Sequence, residues 1–313
     1  ELQVKNGVQS RSDVITYSDQ AATTHPESIM MRILLTGASS PLAVGVLRQL
    51  LLNNGVELWC GRHRTAIPIA DPAVHVIDLD LNSDLHTLAN TQFDLVIHFA
   101  GVTHTSDERQ YWNLNLDGTV RLVEATRQNG CKRFAYISTR CATRGSGAYG
   151  ESKLAAEQEL LKLEWKSLLI IRPAEIYGGN SNEGIDQMIS IARRWRLAPA
   201  LFGNANLKFA PMHIDDFSRV AANLIQQHRE GVRIETLCGP EDLNGFDLAS
   251  RISKRYRALP LPLCWPAVHV SVRVLQKIGM SIVKPDQLTR LVAEKTGTAK
   301  SNKIAPERRF LVE

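Results

Sequence analysis

The chain of 313 residues is 44% apolar and 22% charged, ordinary values for a folded globular protein. They exclude a chain disordered throughout, a collagen-like rod and a small disulfide scaffold, and leave room for one large domain or two modest ones. The 37 basic against 32 acidic residues give a net charge of +5, spread in short groups such as Arg193-Arg194 and Arg308-Arg309 rather than in the dense stripe that nucleic acid requires; an anionic small ligand suits this balance at least as well.

Residues 1–29 are polar and aperiodic, without a signal-peptide core, and are expected to be a loosely held extension. From Met30 strands and helices alternate. Arg32-Ile33-Leu34-Leu35 reads as a first strand. Ser40-Pro41 then reads as a helix cap followed by proline at the first helical position, with the helix running through Val44 to Asn53. Further strands are expected at 56–60, 74–77, 93–99, 132–137 and 167–172, with helices at 112–129 and 149–165 between the later ones. Strands separated by helices imply βαβ units, hence a Rossmann-type doubly wound parallel sheet of α/β class over residues 30–174. Its ligands sit beyond the carboxyl ends of the strands. After residue 174 short helices and Gly/Pro turns replace the regular alternation. Residues 175–313 are read mainly as a smaller substrate subdomain, with a brief strand near Arg233–Leu237 and an amphipathic helix over Leu259–Met280.

Five dispersed cysteines without a CxxC pair read as reduced thiols of a cytoplasmic protein. No segment is long and apolar enough to span a membrane. His98, His104 and His213 have no compact metal spacing, so no metal is expected.

Thr36-Gly37-Ala38-Ser39-Ser40-Pro41-Leu42-Ala43 follows the first strand and opens the first helix. Free N–H groups and the helix dipole favour a pyrophosphate there. Gly37 permits the tight turn, while Ser40 stands at the expected second glycine and Ala43 at the third. The Ser40 hydroxyl either bonds a phosphate or caps the helix. The second strand ends in Cys60-Gly61-Arg62-His63-Arg64, with no acid for the ribose 2′-hydroxyl of NAD. Arg62 or Arg64 could pair with a 2′-phosphate, which favours NADP over NAD. Tyr149-Gly150-Glu151-Ser152-Lys153 places a phenol and an ammonium on one helix face. The lysine charge favours phenolate, as proton transfer at a carbinol or keto oxygen requires, and Thr139 can donate to the same oxygen.

These motifs, with Asp80-Leu81, His98-Phe99-Ala100-Gly101, Asn115-Leu116-Asp117-Gly118-Thr119, Arg172-Pro173-Ala174-Glu175-Ile176-Tyr177-Gly178 and His213-Ile214-Asp215-Asp216, stand in a fixed order. The chain resembles the extended short-chain dehydrogenases/reductases, specifically the NAD(P)-dependent epimerase/dehydratase family, over residues 31–312. The resemblance implies that Tyr149 is the catalytic acid or base, that Lys153 lowers its pKa and holds the nicotinamide ribose, and that Thr139 positions the substrate oxygen. It puts Asp80 and Leu81 near the adenine, Ala100 and Gly101 along the cofactor, and Pro173 and Ile176 beside the nicotinamide. Asn115 would hold an active-site backbone position. The implied activity is that of an oxidoreductase or epimerase transferring hydride at a carbinol or keto carbon of a small molecule, a nucleotide sugar above all, in a protein that dimerises with itself. The alternatives are a non-catalytic dinucleotide-binding regulator or assembly protein, and a ketoreductase of apolar, steroid- or flavonoid-like substrates.

The sequence departs from the family pattern in several places. The interval from Thr139 to Tyr149 is only ten residues, so the substrate mouth is expected to be more open or differently built. Glu175 stands where asparagine is common, and a carboxylate there opposes a diphosphate. Phe209, next to Lys208, replaces an arginine. Arg140-Cys141 replaces the acidic pair of dehydratases and argues against dehydration.

Overall fold

The computed structural model describes residues 30–85, 88, 91–179, 184–277, 285–299 and 306–311. The expected 1–29 extension lies outside them. In chain order the first half contains β1 (Met31–Thr36), α1 (Pro41–Leu50), β2 (Val56–Arg62), β3 (Val74–Asp78), β4 (Leu95–His98) and α2 (Arg109–Tyr111). A π-helical turn (Trp112–Asp117), α3 (Gly118–Gln128), β5 (Arg133–Ile137), α4 (Ala148–Leu161) and β6 (Ser167–Pro173) follow. The second half contains β7 (Ile176–Tyr177), α5 (Gly184–Trp195), β8 (Leu197–Phe202), β9 (Lys208–Phe209), β10 (Met212–His213), α6 (Ile214–Gln227) and β11 (Gly231–Leu237). It continues with β12 (Leu243–Asn244), α7 (Gly245–Tyr256), β13 (Leu259–Cys264), α8 (Trp265–Lys277) and α9 (Pro285–Val292).

Among the described residues, seven strands form one parallel sheet in the order β11-β6-β5-β4-β1-β2-β3. The expected doubly wound architecture is therefore present. Its strands are nearly unbroken apolar runs because both faces are covered. Successive side chains point to opposite faces, and the packing follows that period. Ile33, Leu35, Ile97, Ala135 and Leu169 join the core beneath α1 and α6. Leu34, Val96, Phe134, Tyr136 and Ile170 join the opposite core beneath α3 and α4. The chain reverses direction of winding between β1 and β4, so the switch point, where such sheets bind ligands, opens between Gly37 and Ala100.

Three elements differ from expectation. The strand near Arg233–Leu237 belongs to the central sheet, not to the subdomain: β11 pairs with β6 along its whole length, from Gly231 opposite Ser167 to Leu237 opposite Pro173. With α6 beneath it, the sheet thus draws its last layer from beyond residue 174. The expected helix over Leu259–Met280 begins only at Trp265, while β13 pairs in parallel with β8. Leu259-Pro260-Leu261-Pro262-Leu263 has a period of two, and a strand with a free edge tolerates prolines whose missing N–H groups face outward. Third, the expected helix over 112–129 opens with the π-helical turn, in which the Gly118 N–H reaches back to the Asn113 carbonyl. The remaining second-half elements enclose a separate apolar core around Ile185, Phe209, Leu248 and Phe310.

Candidate active site

Gly37 turns with φ +67°, and a Cβ on it would lie 2.5 Å from the Ala100 backbone nitrogen. The residue is glycine for both reasons: the left-handed backbone and the close approach of the two strand ends at the switch point. Ser40 is the N-cap of α1 and its Oγ accepts from the Ala43 N–H at 3.3 Å, so it caps the helix and keeps its own proton to donate. Pro41 occupies the first helical turn. Ser39 and Leu42 are half-buried beside it. A glycine that the sequence reading passed over, Gly45, lets α1 pack on α6: its Cβ would lie 2.0 Å from Ser218 Oγ.

At the far edge, Arg62 is engaged by Asp78, which accepts from its Nε at 2.9 Å and its Nη2 at 2.7 Å. Asp80 accepts from the Asn82 N–H and lies 3.6 Å from His63 Nε2. Leu81 is buried, and its carbonyl accepts from Arg121.

A buried chain of polar groups runs from the first turn to the tyrosine. The Ala100 N–H donates to Thr36 Oγ1, Thr36 Oγ1 contacts His98 Nδ1 at 2.6 Å, and His98 Nε2 contacts Thr119 Oγ1 at 2.9 Å. Thr119 donates its single hydroxyl proton to the Asn115 carbonyl at 2.7 Å. That fixes the directions: His98 donates from Nε2 and accepts at Nδ1. Burial, aided by the Lys153 charge, pushes the His98 pKa well below its usual value, so the ring is neutral as this tautomer requires. Asn115, delivered by the π-helical turn, accepts from the Val102 N–H at 2.8 Å and donates to the Val102 carbonyl and to Ser152 Oγ, each at 3.1 Å. Ser152 donates to the Tyr149 carbonyl. His98 and Ser152 were not singled out for the site; their signal is position, one beside the switch point and one immediately before Lys153.

Lys153 is buried, with its ammonium 4.1 Å from the centre of the Tyr136 ring. A Cβ on Gly101 would lie 2.8 Å from Asn115 Oδ1 and 3.9 Å from Lys153 Nζ, so a bare backbone separates these groups from the switch point. Burial holds the Lys153 pKa down to about 7, opposed by the Glu157 carboxylate, which is itself clasped by Arg172. Thr139 Oγ1 accepts from the Cys141 N–H at 3.2 Å, leaving its own proton to donate. The following segment lies against the start of α4, where a Cβ on Gly150 would meet the Cys141 carbonyl at 2.2 Å. Pro173 accepts from the Arg140 N–H, and Ile176 pairs with Met212 beneath it.

The short 139–149 interval does not leave the mouth open. Helix α9 and the residues that follow it pack against this interval: the Tyr149 N–H donates to Asp286 Oδ1 at 3.1 Å, and Thr143 donates to the carbonyl of Glu294, two residues beyond the helix. Glu175 is not bare towards a ligand either. It accepts from buried Arg140 at 2.8 Å and lies 3.9 Å from Lys295 Nζ; burial raises its carboxyl, but the two cations hold it below the ordinary value. His213 caps α6. A cavity of about 590 Å3 lies by Tyr177, His213 and Arg308; Thr139, Tyr149 and Lys153 do not line it. Among the described residues there is no cluster of three or more His, Cys, Asp or Glu able to hold a metal, and no helix long and apolar enough to cross a membrane.

Residues 33–238 match the model of the NAD dependent epimerase/dehydratase family. The chain belongs to this family. The UDP-glucose 4-epimerase 2 of Oryza sativa subsp. japonica is 29% identical over 44% of this chain and 43% of its own. The uronate dehydrogenase of Pseudomonas putida is 34% identical over 34% and 40%. The chain thus spans about half the length, or less, of these curated relatives. Among solved structures, Pal from Bacillus thuringiensis superposes with a TM-score of 0.67 at 17% identity, covering 90% of this chain and 96% of that one. MoeE5 in complex with UDP-glucose and NAD gives 0.63 at 20% identity, over 86% and 95%. At such identities these matches speak for the fold.

Proposed function

We propose that the protein is an NAD(P)-dependent oxidoreductase or epimerase acting at a carbinol or keto carbon, with a nucleotide sugar as its substrate class. The observation that carries this reading is the buried lysine one helical turn beyond Tyr149, beside the bare glycine backbone of Gly37 and Gly101 at the switch point. A nicotinamide dinucleotide would lie along that backbone. Gly37, Ser39, Ser40, Pro41 and Leu42 would hold the pyrophosphate at the α1 N-terminus. Asp80 and Leu81 would border the adenine, Ala100, Gly101 and Asn115 the middle of the cofactor, and Pro173 and Ile176 the nicotinamide. When bound, the nicotinamide supplies hydride exchange at its C4. The chain's own groups handle the proton. Thr139 donates a hydrogen bond to the substrate oxygen, Tyr149 moves the proton at its hydroxyl, and the Lys153 ammonium favours the phenolate while holding the ribose. A lysine held near pH 7 is close to the operating range of general acid–base chemistry.

NADP is favoured over NAD, because the β2 end carries Arg62 and Arg64 and no acid. The nucleotide-sugar class is supported by the relatives' names and by the neighbour holding UDP-glucose, and by Arg140 and Lys295, which neutralise Glu175 where a diphosphate would otherwise meet a bare carboxylate. A homodimer and a cytoplasmic site belong to the same reading; the five free thiols suit a reducing compartment. Two measurements test the proposal. NADH and NADPH fluorescence titrations should show binding of at least one. Tyr149→Phe should lower turnover of UDP-sugars by roughly 10²–10⁴-fold. Binding without an effect of Tyr149→Phe would leave the dinucleotide-binding regulator as the better reading.

A further inference from the structure

Helix α9 comes from the far end of the chain and meets the tyrosine directly. The Arg290 guanidinium lies over the Tyr149 ring, 4.3 Å from its centre. One turn earlier Asp286 is ion-paired to Arg290 at 2.7 Å. Arg290 also donates to the Thr103 carbonyl at 2.8 Å, in the loop that follows β4. Both α9 side chains are largely buried, Arg290 at 15% and Asp286 at 5% exposure.

Asp286 has a second task. The N-cap of α4 is Gly147, which has no side chain to offer the helix N-terminus. The Asp286 carboxylate takes that place from another helix by accepting from the Tyr149 N–H. Gly147 has φ +88°, and a Cβ there would lie 2.7 Å from Asp286 Oδ1. The glycine therefore makes room for the carboxylate that caps its helix. The α9 pair thus grips Tyr149 at its backbone and on its ring face.

We propose that the Asp286–Arg290 pair is a positioning device for Tyr149 that sets how readily its phenol ionises. A guanidinium over a neutral phenol makes a modest cation–π contact; over a phenolate it faces a full negative charge, so it favours the ionised form. Asp286 opposes it, and the balance between the two is what α9 contributes. The inference rests on the reading of Tyr149 as the proton-transfer group. Tyr149 also meets Tyr111 on α2, whose ring centre is 5.9 Å away, and Tyr136 on β5, which couples to it electrostatically, and Lys153 follows it one turn along α4. Tyrosines 111 and 136 are themselves pushed up by burial, so they remain neutral where Tyr149 would work. The α9 pair thus adds its charges to the one that Lys153 carries on the same helix as Tyr149.

The test is a titration of tyrosinate absorbance in the full chain, taken as the difference from Tyr149→Phe so that only this phenol is read. Arg290→Gln leaves Asp286 unopposed and should raise the Tyr149 midpoint by about one pH unit, a tenfold loss of phenolate below it. Asp286→Asn keeps a capping side chain but leaves Arg290 unopposed, and should move the midpoint down. Arg290→Lys should restore most of the wild-type value. Opposite shifts support the proposal; shifts in the same direction, or none in either folded variant, overturn it. The titration needs neither cofactor nor substrate, so its failure is distinct from failure of the hydride-transfer reading, which the turnover of Tyr149→Phe decides.

Discussion

The sheet half and the C-terminal cover reach the candidate site by different physics. In the sheet half, one directed chain of neutral buried groups runs from Ala100 through Thr36, His98 and Thr119 to Asn115, and the buried Lys153 and Glu157 charges lie beyond it on α4. Each proton in that chain has one acceptor, so the chain is rigid without a charge of its own. The cover contributes charges instead: Asp286–Arg290 on the tyrosine, and Glu175 with Lys295, which meet Arg140 from the segment after β5. A neutral network fixes where groups lie, whereas paired charges also fix their protonation and are costly to break singly.

The largest effect should come where the two meet. Lys153→Met should reduce turnover by roughly 10²–10⁴-fold, by removing the cation that favours phenolate. Stability should move the other way. The folded protein releases the Lys153 proton near pH 7, the unfolded chain near its ordinary 10.5. Between those values the unfolded state binds more protons, so folding gains as pH rises. Below pH 7 the burial penalty is present in full. Removing the lysine should therefore stabilise the chain most at and below pH 7, and the gain should fade towards pH 10.5. Urea midpoints of wild type and variant across that range check it; a gain that grows with pH would refute the assignment.

The cover is tested by its buried ion pair. Glu175→Gln leaves Arg140 charged and without its carboxylate, which costs about 3–5 kcal/mol for buried pairs, or on the order of 10 °C in a chain of this size. Replacing both partners, as in Arg140→Met with Glu175→Leu, should recover most of that loss. Thermal unfolding of the single and double variants separates a charge effect from a packing effect. A double variant no better than the single one would show that Arg140 acts by shape.

The same contrast explains what could be read from the sequence. Strands β1, β4, β5 and β6 were legible because two-faced burial forces apolar runs, and the Ser40-Pro41 start of α1 because caps are local chemistry. The positions of Gly37, Asn115 and the Tyr149–Lys153 pair follow from the sequence because they sit at fixed places relative to those elements. Asp286 and Arg290 were not. An Asp and an Arg four apart on a helix are the ordinary pattern of a solvated face, and only the fold brings Asp286 to Tyr149 across 137 residues of chain. The π-helical turn had no signal, since its sequence suits an α-helix. Strand β13 is hidden because its leucines run on into the apolar residues of α8, so the segment from Leu259 reads as one helix, whereas leucine alternating with proline suits the free edge of a strand.

The smallest effect is expected at the outer edge of the sheet, where Arg62 and Asp78 are both exposed. Such pairs contribute roughly 0–1 kcal/mol, so Arg62→Ala should leave the melting temperature nearly unchanged. Its effect should be confined to one ligand. If Arg62 trades Asp78 for a 2′-phosphate, NADPH affinity should fall about tenfold, the range of one charge-assisted hydrogen bond, while NADH affinity stays constant. Asp78→Asn should act in reverse, removing a negative neighbour of the phosphate and freeing the Arg62 fork. Paired fluorescence titrations of both cofactors on both variants give the answer. If Arg62→Ala weakens neither, the preference for NADP does not originate at Arg62. If Asp78→Asn instead weakens NADH, the carboxylate at the end of β3 serves the ribose hydroxyls, as an acid at the end of β2 does in NAD-binding sheets of this type.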